Sequence, residues 1–251
     1  MNKKHMVVIF GLMVIGVMNS FAQSGSVTDP LLILTDPYEP YVFPPDAHLK
    51  GIDYEVMEAV FQRLNIPFEI KFFPWKRCLY MMQVQEADGI LDGGITEDRK
   101  TYLFFPEEPL SESSLVMFYH KDHPIQLDTI EDLKQYLVGT QIGYIYSQGI
   151  AEMLIHRDDV ETIEQNFLKL EANRIDLMLV DRVVGLYKVA AFEGRDQLAM
   201  VELPEQLLNI YYLGFAKKAG YDKLAMRFSR ALSEFKQTQA YHDILLKYGQ
   251  R

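Results

Sequence analysis

The stretch Ala87-Asp88-Gly89-Ile90-Leu91-Asp92-Gly93-Gly94-Ile95-Thr96-Glu97-Asp98-Arg99 sets a strand, a glycine pair and a helix cap in one run. Ala87 to Leu91 has the length and apolar content of a buried strand. Gly93-Gly94 punctuates it, and Thr96 offers a side-chain oxygen to cap a helix opening at Glu97. The stretch has an echo. Ile175-Asp176-Leu177-Met178-Leu179-Val180-Asp181 also places one Asp before an apolar strand and another just after it. Two similar α/β lobes account for the repetition. In open parallel sheets ligands gather at the carboxyl ends of the strands, which is where Asp92 and Asp181 fall. A cleft between two lobes brings those ends face to face.

Upstream, Leu31 to Leu34 reads as a buried strand entering a turn at Thr35-Asp36-Pro37. After Asp53 the residues Val56, Met57, Val60, Phe61 and Leu64 recur at spacings of three and four, which predicts an amphipathic helix stopped by Asn65 and Pro67. A strand over Phe68 to Phe73 and a helix from Trp75 to about Gln85 come after it, with Pro74 where a first turn tolerates proline. Beyond Arg99 the alternation restarts. The pattern gives a strand at Leu115 to Tyr119, a short helix at Ile130 to Gln135 and a strand at Gln141 to Ile145. Helices around Ile150 to Ile155 and near Leu168, the echo strand Asp176 to Val180 and a helix from Arg182 come next. Two long amphipathic helices, Tyr221 to Phe235 and Gln239 to Lys247, come last. Alternating strands and helices imply parallel sheets wrapped by helices.

The chain has 251 residues and a net charge of −10. Lys3 and Lys4 precede an apolar run from Met6 to Val17, and Ser20-Phe21-Ala22 has small residues at the spacing a signal peptidase reads. Residues 1–22 are therefore expected to be an export signal, and the mature protein to be soluble and periplasmic. The apolar run falls short of the roughly 20 residues a membrane span needs. Removing the signal takes away two lysines and no acid, so the charge becomes more negative by two. Such a surface repels phosphate backbones and argues against nucleic-acid binding. Cys78, the only cysteine, cannot close an intrachain disulfide and reads as a small buried residue near a helix start. The six histidines form no His-x-x-x-His pair, and no Cys pair or acidic calcium loop is present, so no metal or other cofactor is expected.

Four motifs stand in order: Gly51-Ile52-Asp53-Tyr54-Glu55-Val56, Gly93 to Arg99, Gly143 to Gly149, and Tyr241-His242-Asp243-Ile244-Leu245-Leu246-Lys247-Tyr248-Gly249. Together they make nearly the whole mature chain resemble the periplasmic solute-binding proteins of family 3, which feed polar amino acids to ABC transporters. The resemblance implies an α/β, two-lobed periplasmic-binding-protein fold of type II, each lobe a mainly parallel sheet flanked by helices, with a two-strand hinge. It puts lobe 1 at residues 23–116 and 213–251 and lobe 2 at 117–212, with crossings near Met117 and Tyr212. The implied function is that of a non-catalytic, monomeric receptor for a small amino-acid-like solute. Its partner would be an inner-membrane ABC permease or a sensor ectodomain.

The resemblance also assigns residues. Arg99 matches the arginine of the family's Thr-x-x-Arg segment, which grips the ligand's α-carboxylate. A guanidinium fork suits bidentate pairing, and N–H groups at a helix start add to the anion's stabilisation. A solvated arginine paired with Glu97 or Asp98 is the alternative. Asp181 matches the acid that holds the ligand's ammonium group, and a strand-end Asp equally suits the cap of the next helix. Arg99 and Asp181 would come from opposite lobes, so a zwitterion between them would favour closure. Tyr38 matches an aromatic lid and Trp75 an aromatic floor, faces that suit a cationic or planar group. Ser147, Gln148 and Gly149 fall on the family's Gly-Thr-Thr loop with its threonines replaced, leaving Gln148 and backbone donors. Thr96 and Gly94 complete the candidate contacts.

Departures from the family wording bear on the ligand. Asp92 and Gly94 stand where the amino-acid binders carry residues such as serine. Asp92 therefore needs a cation, either Arg77, Arg99 or a charged group of the ligand. Arg77 lies near the start of its helix, where cations are disfavoured, and either serves a partner or is a salt-bridged surface residue. The competing class is an enzyme on the same scaffold, resembling dehydratases, with Asp92 or Glu39 as general acid or base. An exported structural or adhesion module would leave the cleft residues without a task.

Overall fold

The computed structural model describes residues 29–250 apart from 147, 205 and 206, and leaves out the side chains of 148, 149 and 151. The expected export signal at residues 1–22 lies outside the described residues. Leu31–Thr35 (β1) is buried on both faces, which explains its continuous apolar run. Gly51 then turns the chain with φ 113°, and a Cβ there would lie 2.1 Å from the Tyr41 carbonyl oxygen, so only glycine fits. Ile52–Leu64 (α1) starts at this turn and ends at Asn65, left-handed at φ 53°. Phe68–Phe72 (β2), Trp75–Gln83 (α2) and Gly89–Gly93 (β3) come next, and β2 and β3 flank β1 in parallel.

Two differences from the sequence reading fall on the opening stretch. The expected strand at Ala87 to Leu91 runs instead from Gly89 to Gly93, which draws Asp92 into it with a left-handed φ of 62°. The expected helix at Glu97 is a single 3₁₀ turn, Arg99–Thr101. Thr96 closes that turn, its Oγ1 accepting from the Arg99 N–H at 3.0 Å, but Leu103–Phe104 (β4) pairs with a neighbouring strand and pulls the chain out straight.

The second half comprises Ser111–His120 (β5), Val138–Gln141 (β6), Gln148–Met153 (α3), Arg157–Val160 (β7), Ile163–Glu171 (α4), Leu177–Asp181 (β8) and Arg182–Ala191 (α5). Leu198–Glu202 (β9), Leu208–Ala216 (β10), Tyr221–Lys236 (α6) and Gln239–Lys247 (α7) complete it. The expected helix at Ile130 to Gln135 is present as a 3₁₀ segment. The strand expected at Gln141 to Ile145 lies earlier, because Gly143 turns the chain at φ 81°.

The strand order β2-β1-β3-β10-β5-β8-β6-β7 divides into two lobes. Each has three parallel strands, β2-β1-β3 and β7-β6-β8, extended by antiparallel ones. β10 crosses from one to the other, pairing with β3 and β4 through Tyr212 to Ala216 and with β5 through Leu208 to Tyr211. β5 crosses in the opposite sense, from Ser111–Ser114 on β10 to Leu115–His120 on β8 and β9. Phe61, Phe215, Phe228 and Phe235 fill the first core between the sheet, α1 and α6, each burial contributing about 1.5–3 kcal/mol. Met117, Leu133, Val138 and Leu177 fill a core of the second lobe. A further cluster joins Tyr38, Tyr41 and Ile52 of lobe 1 to Phe118, Phe167 and Val184 of lobe 2. The lobes are therefore packed against each other as well as hinged. Among the described residues no helix is long and apolar enough to cross a membrane.

Candidate ligand-binding site

A cavity of about 360 Å³ lies between the lobes, bounded by Asp36, Tyr38, Trp75, Asp92, Gly94 and Arg99 on one side and by Gly143, Tyr144 and Ile145 on the other. Tyr211 and Tyr212 of β10 close its back. Five of the sequence candidates thus meet: Arg99, Trp75, Tyr38, Asp92 and Gly94.

Arg99 is only 6% exposed. Its Nη1 donates to the Gly94 carbonyl at 3.0 Å and its Nη2 to the Gly143 carbonyl, from the opposite lobe, at 3.3 Å. Its guanidinium sits 5.5 Å from the centre of the Trp75 ring. Among the described residues no carboxylate pairs with it. Of the two neighbours expected as alternatives, Glu97 is bonded to Lys100 at 2.7 Å, and Asp98 forms no ion pair with Arg99, though its charge and the Tyr102 hydroxyl favour the guanidinium. Burial pulls the Arg99 pKa below its ordinary value, yet a guanidinium stays charged. A buried cation without a counter-ion is costly, and an anion bound at this wall removes the cost.

Asp181 is placed differently. Its Oδ1 accepts from the Val183 and Val184 N–H groups at 2.9 and 3.1 Å, which caps α5. The Tyr211 hydroxyl donates to its Oδ2 at 2.9 Å and the Tyr41 hydroxyl to its Oδ1 at 3.5 Å. Ser113 and Asn209, from the ladder that links the lobes, also bond to it. Burial raises its pKa, and these donors work against that rise. Asp181 does not bound the cavity; it holds Tyr211, which does, and Tyr211 meets the Tyr38 hydroxyl at 3.1 Å.

The remaining candidates divide. Thr96 supports the backbone of Arg99 and does not line the cavity. Arg77 is exposed and stacks on the Phe73 ring at 4.4 Å. Gln148 opens α3, and its side chain lies outside the described set. Cys78 is buried beneath α2, donating to the Thr35 and Phe73 carbonyls, with burial pushing its thiol up to about 12.

Asp92 is flanked by two acids that sequence reasoning passed over. Both of its carboxyl oxygens are buried without a hydrogen-bond donor. Burial and the negative charge of Asp53 hold its pKa well above the carboxylate range. Asp53, fully buried in the first turn of α1, accepts from the Ser111 hydroxyl at 2.7 Å and is pushed up to about 6, chiefly by burial. Asp36 is pushed up to about 7, by burial and then by Glu39. The strand-end position of Asp36 after β1 is the same signal that singled out Asp92 and Asp181. Glu39 itself is taken up by Lys188 of α5 at 2.6 Å, and Lys188 also holds Glu164 at 2.8 Å, an ion-pair clasp between the lobes.

Residues 31–251 match the family described as bacterial extracellular solute-binding proteins, family 3. The chain belongs to this family. A probable amino-acid-binding protein of Bacillus subtilis (strain 168) is 24% identical over 221 residues, 83% of this chain and 79% of the relative. The arginine-, lysine-, histidine-binding protein ArtJ of Geobacillus stearothermophilus superposes with a TM-score of 0.75 at 20% identity, over 88% of this chain and 95% of that one. A histidine kinase sensor domain similar to periplasmic binding proteins does so with a TM-score of 0.75 at 20% identity, over 88% and 96%. The two-lobed architecture of this family-3 protein is the periplasmic-binding-protein fold.

Proposed function

We propose that this family-3 protein captures a small amino-acid-like solute in the cavity between its lobes and presents it to an ABC permease. The observation that carries the reading is Arg99, a buried guanidinium that forms no ion pair among the described residues, on the wall of a ligand-sized cavity. The solute's carboxylate pairs with Arg99, and Gly94 and Gly143 aim the fork. Trp75 and Tyr38 supply aromatic walls. The lobes, at 23–116 with 213–251 and at 117–212, open and close by bending where Ser111–Ser114 pairs with Leu208–Tyr211. The protein is exported by residues 1–22, works in the periplasm as a monomer and carries out no reaction. The curated relative in Bacillus is named as a binding protein, which supports a non-catalytic role.

The likeness to a kinase sensor domain favours a second reading, delivery of the same solute to a sensor. Co-purification with a permease or with a kinase ectodomain separates the two. Binding itself is tested by thermal shift against an amino-acid panel. A ligand at 100 times its Kd stabilises a one-site protein by about 2.7 kcal/mol. Arg99→Ala is expected to abolish stabilisation by every carboxylated ligand; unchanged stabilisation contradicts the reading.

A further inference from the structure

We infer that the Asp53 and Asp92 carboxyls, packed together behind the cavity wall, form a proton-operated lock: closing the lobes over a solute takes up a proton onto the pair, so the solute is held more tightly as pH falls. The inference rests on the reading that the cavity takes its solute at Arg99. The pair acts from behind the wall, without touching the solute. Asp92 bounds the cavity, yet both of its carboxyl oxygens are buried and have no donor. Asp53, the carboxyl it faces, is satisfied on one side only. Its Oδ2 accepts from the Ser111 hydroxyl at 2.7 Å, and its Oδ1 is buried without a donor. Two ionised carboxyls in contact offer only acceptors and repel; a single proton turns the contact into an O–H donated from one to the other. The unpartnered oxygens thus flank a place for one proton, and the two acids titrate as a unit.

Groups from both lobes converge on this pair. Asp92 faces Asp53, Asp36 and Tyr41 of lobe 1 and Asp181 and Tyr144 of lobe 2. Asp53 also faces Asp181, Tyr41, Lys236 and Tyr241. Tyr144 packs on the Tyr38 ring at 5.2 Å, so a lobe 2 side chain covers the wall that holds Asp92. Opening the lobes withdraws Tyr144 and Asp181 and admits water. That weakens two of the influences holding the Asp92 pKa up, burial first and then the charge of Asp181. The closed form therefore keeps a proton that the open form gives up to solvent.

The pair also reaches the carboxylate fork. The left-handed turn at Asp92, φ 62°, leads into Gly94, whose carbonyl holds Arg99 Nη1. When both carboxyls are ionised, their repulsion bears on the turn that aims Arg99. A group whose pKa is higher in the closed form favours closure below its open-form value, and that advantage is lost as pH rises through its closed-form value. Between the two values, affinity falls by up to about tenfold per pH unit.

The test is isothermal titration of the full mature chain with L-arginine and with L-glutamine at pH 5.5 and pH 8, in buffers of different ionisation enthalpy. Wild type should bind at least about tenfold more tightly at pH 5.5 than at pH 8, with proton uptake approaching one per site between them. The amide of Asp92→Asn stands in for the protonated acid. This variant should bind within about twofold at the two pH values and more tightly than wild type at pH 8, a gain that damaged packing would not give. Asp53→Asn, with the same expectation, serves if Asp92→Asn does not fold. Infrared difference spectra, bound minus free at pH 7, should gain the carbonyl stretch of a protonated carboxyl in wild type and lack it in Asp92→Asn. Asp36→Asn, which removes the other raised acid on the wall, should keep the pH dependence. Equal affinity of wild type at the two pH values, or a pH dependence kept in Asp92→Asn and lost in Asp36→Asn, overturns the lock and leaves the amino-acid reading standing. Silence of both ligands overturns both.

Discussion

Asp92 and Asp181 end two strands with the same wording, an acid after an apolar run, and meet opposite surroundings. After Asp181 the chain enters α5 at once, so two N–H groups of the first turn point back at the carboxylate, and Tyr41 and Tyr211 add hydroxyls. After Asp92 come two glycines and no α-helix; the backbone is left-handed, and among the described residues no backbone N–H or hydroxyl donates to either oxygen, the nearest group being the Asp53 carboxyl. The role of a strand-end acid is thus set by the residues just beyond it. A helix start turns the carboxylate into a helix cap, whereas a glycine turn leaves it without backbone donors.

The comparison can be broken most forcefully at Asp181. Asp181→Ala leaves two N–H groups and two tyrosine hydroxyls without their acceptor, and urea denaturation should show a loss of about 2–4 kcal/mol. A loss below ~1 kcal/mol would mean the cap is incidental. Asp92→Asn should act in the opposite direction. Its amide can donate to the unpartnered Asp53 Oδ1, and one of two neighbouring acids is gone, so the fold should gain about 1–3 kcal/mol at pH 7.5. The gain should shrink as pH falls through the folded-state pKa of Asp92 and be gone only well below about pH 4, where the unfolded-state carboxyl is protonated too.

A related pH dependence belongs to the wild-type protein without ligand. Asp36 and Asp53 are raised from 3.8 to about 7 and about 6, so the folded chain keeps protons that the unfolded chain has released. Their contribution to stability is therefore greatest below about pH 4 and is lost as pH rises toward 7. Urea midpoints at pH 5 and pH 8, compared in wild type and Asp36→Asn, should show a smaller drop in the variant. The smallest effect is expected at the clasp between the lobes. Lys188→Ala removes its pairs with Glu39 and Glu164 and should weaken ligand affinity by about two- to fivefold, the worth of a partly exposed ion pair. No change would mean that closure does not use it.

Much of the fold was legible in the sequence. The apolar periodicity after Asp53 and the Asn65 stop placed α1 almost to the residue, and Tyr221–Lys236 and Gln239–Lys247 were equally clear. Polar edges were harder to read: Arg157–Val160 is a strand whose residues are largely charged, and periodicity cannot see it. The helix expected at Glu97 failed because a capping threonine says nothing of the strand pairing that ends the turn soon after it.

Of the residues on or behind the cavity wall, Arg99, Trp75 and Tyr38 were singled out through the family resemblance, whereas Asp36 and Asp53 were hidden by more ordinary roles. Thr35-Asp36-Pro37 reads as a turn, and an acid in a first helical turn reads as a dipole partner. Only the fold sets Asp36 beside Arg99's cavity and Asp53 behind Asp92. The paired reading of Asp181, ligand contact or cap, needed the positions of Tyr41 and Tyr211, which come from segments far away in the chain.

Trp75 is the only tryptophan in the chain and lies on the cavity wall beside Arg99, so its fluorescence reports occupancy of the site without a label. The most direct measurement is a fluorescence titration of wild type and Arg99→Ala with L-arginine at pH 7.5. A saturable change in wild type that is absent in Arg99→Ala is the predicted result. The same saturable change in both proteins, or none in wild type for any amino acid, would contradict the claim that a buried guanidinium between the lobes holds the solute.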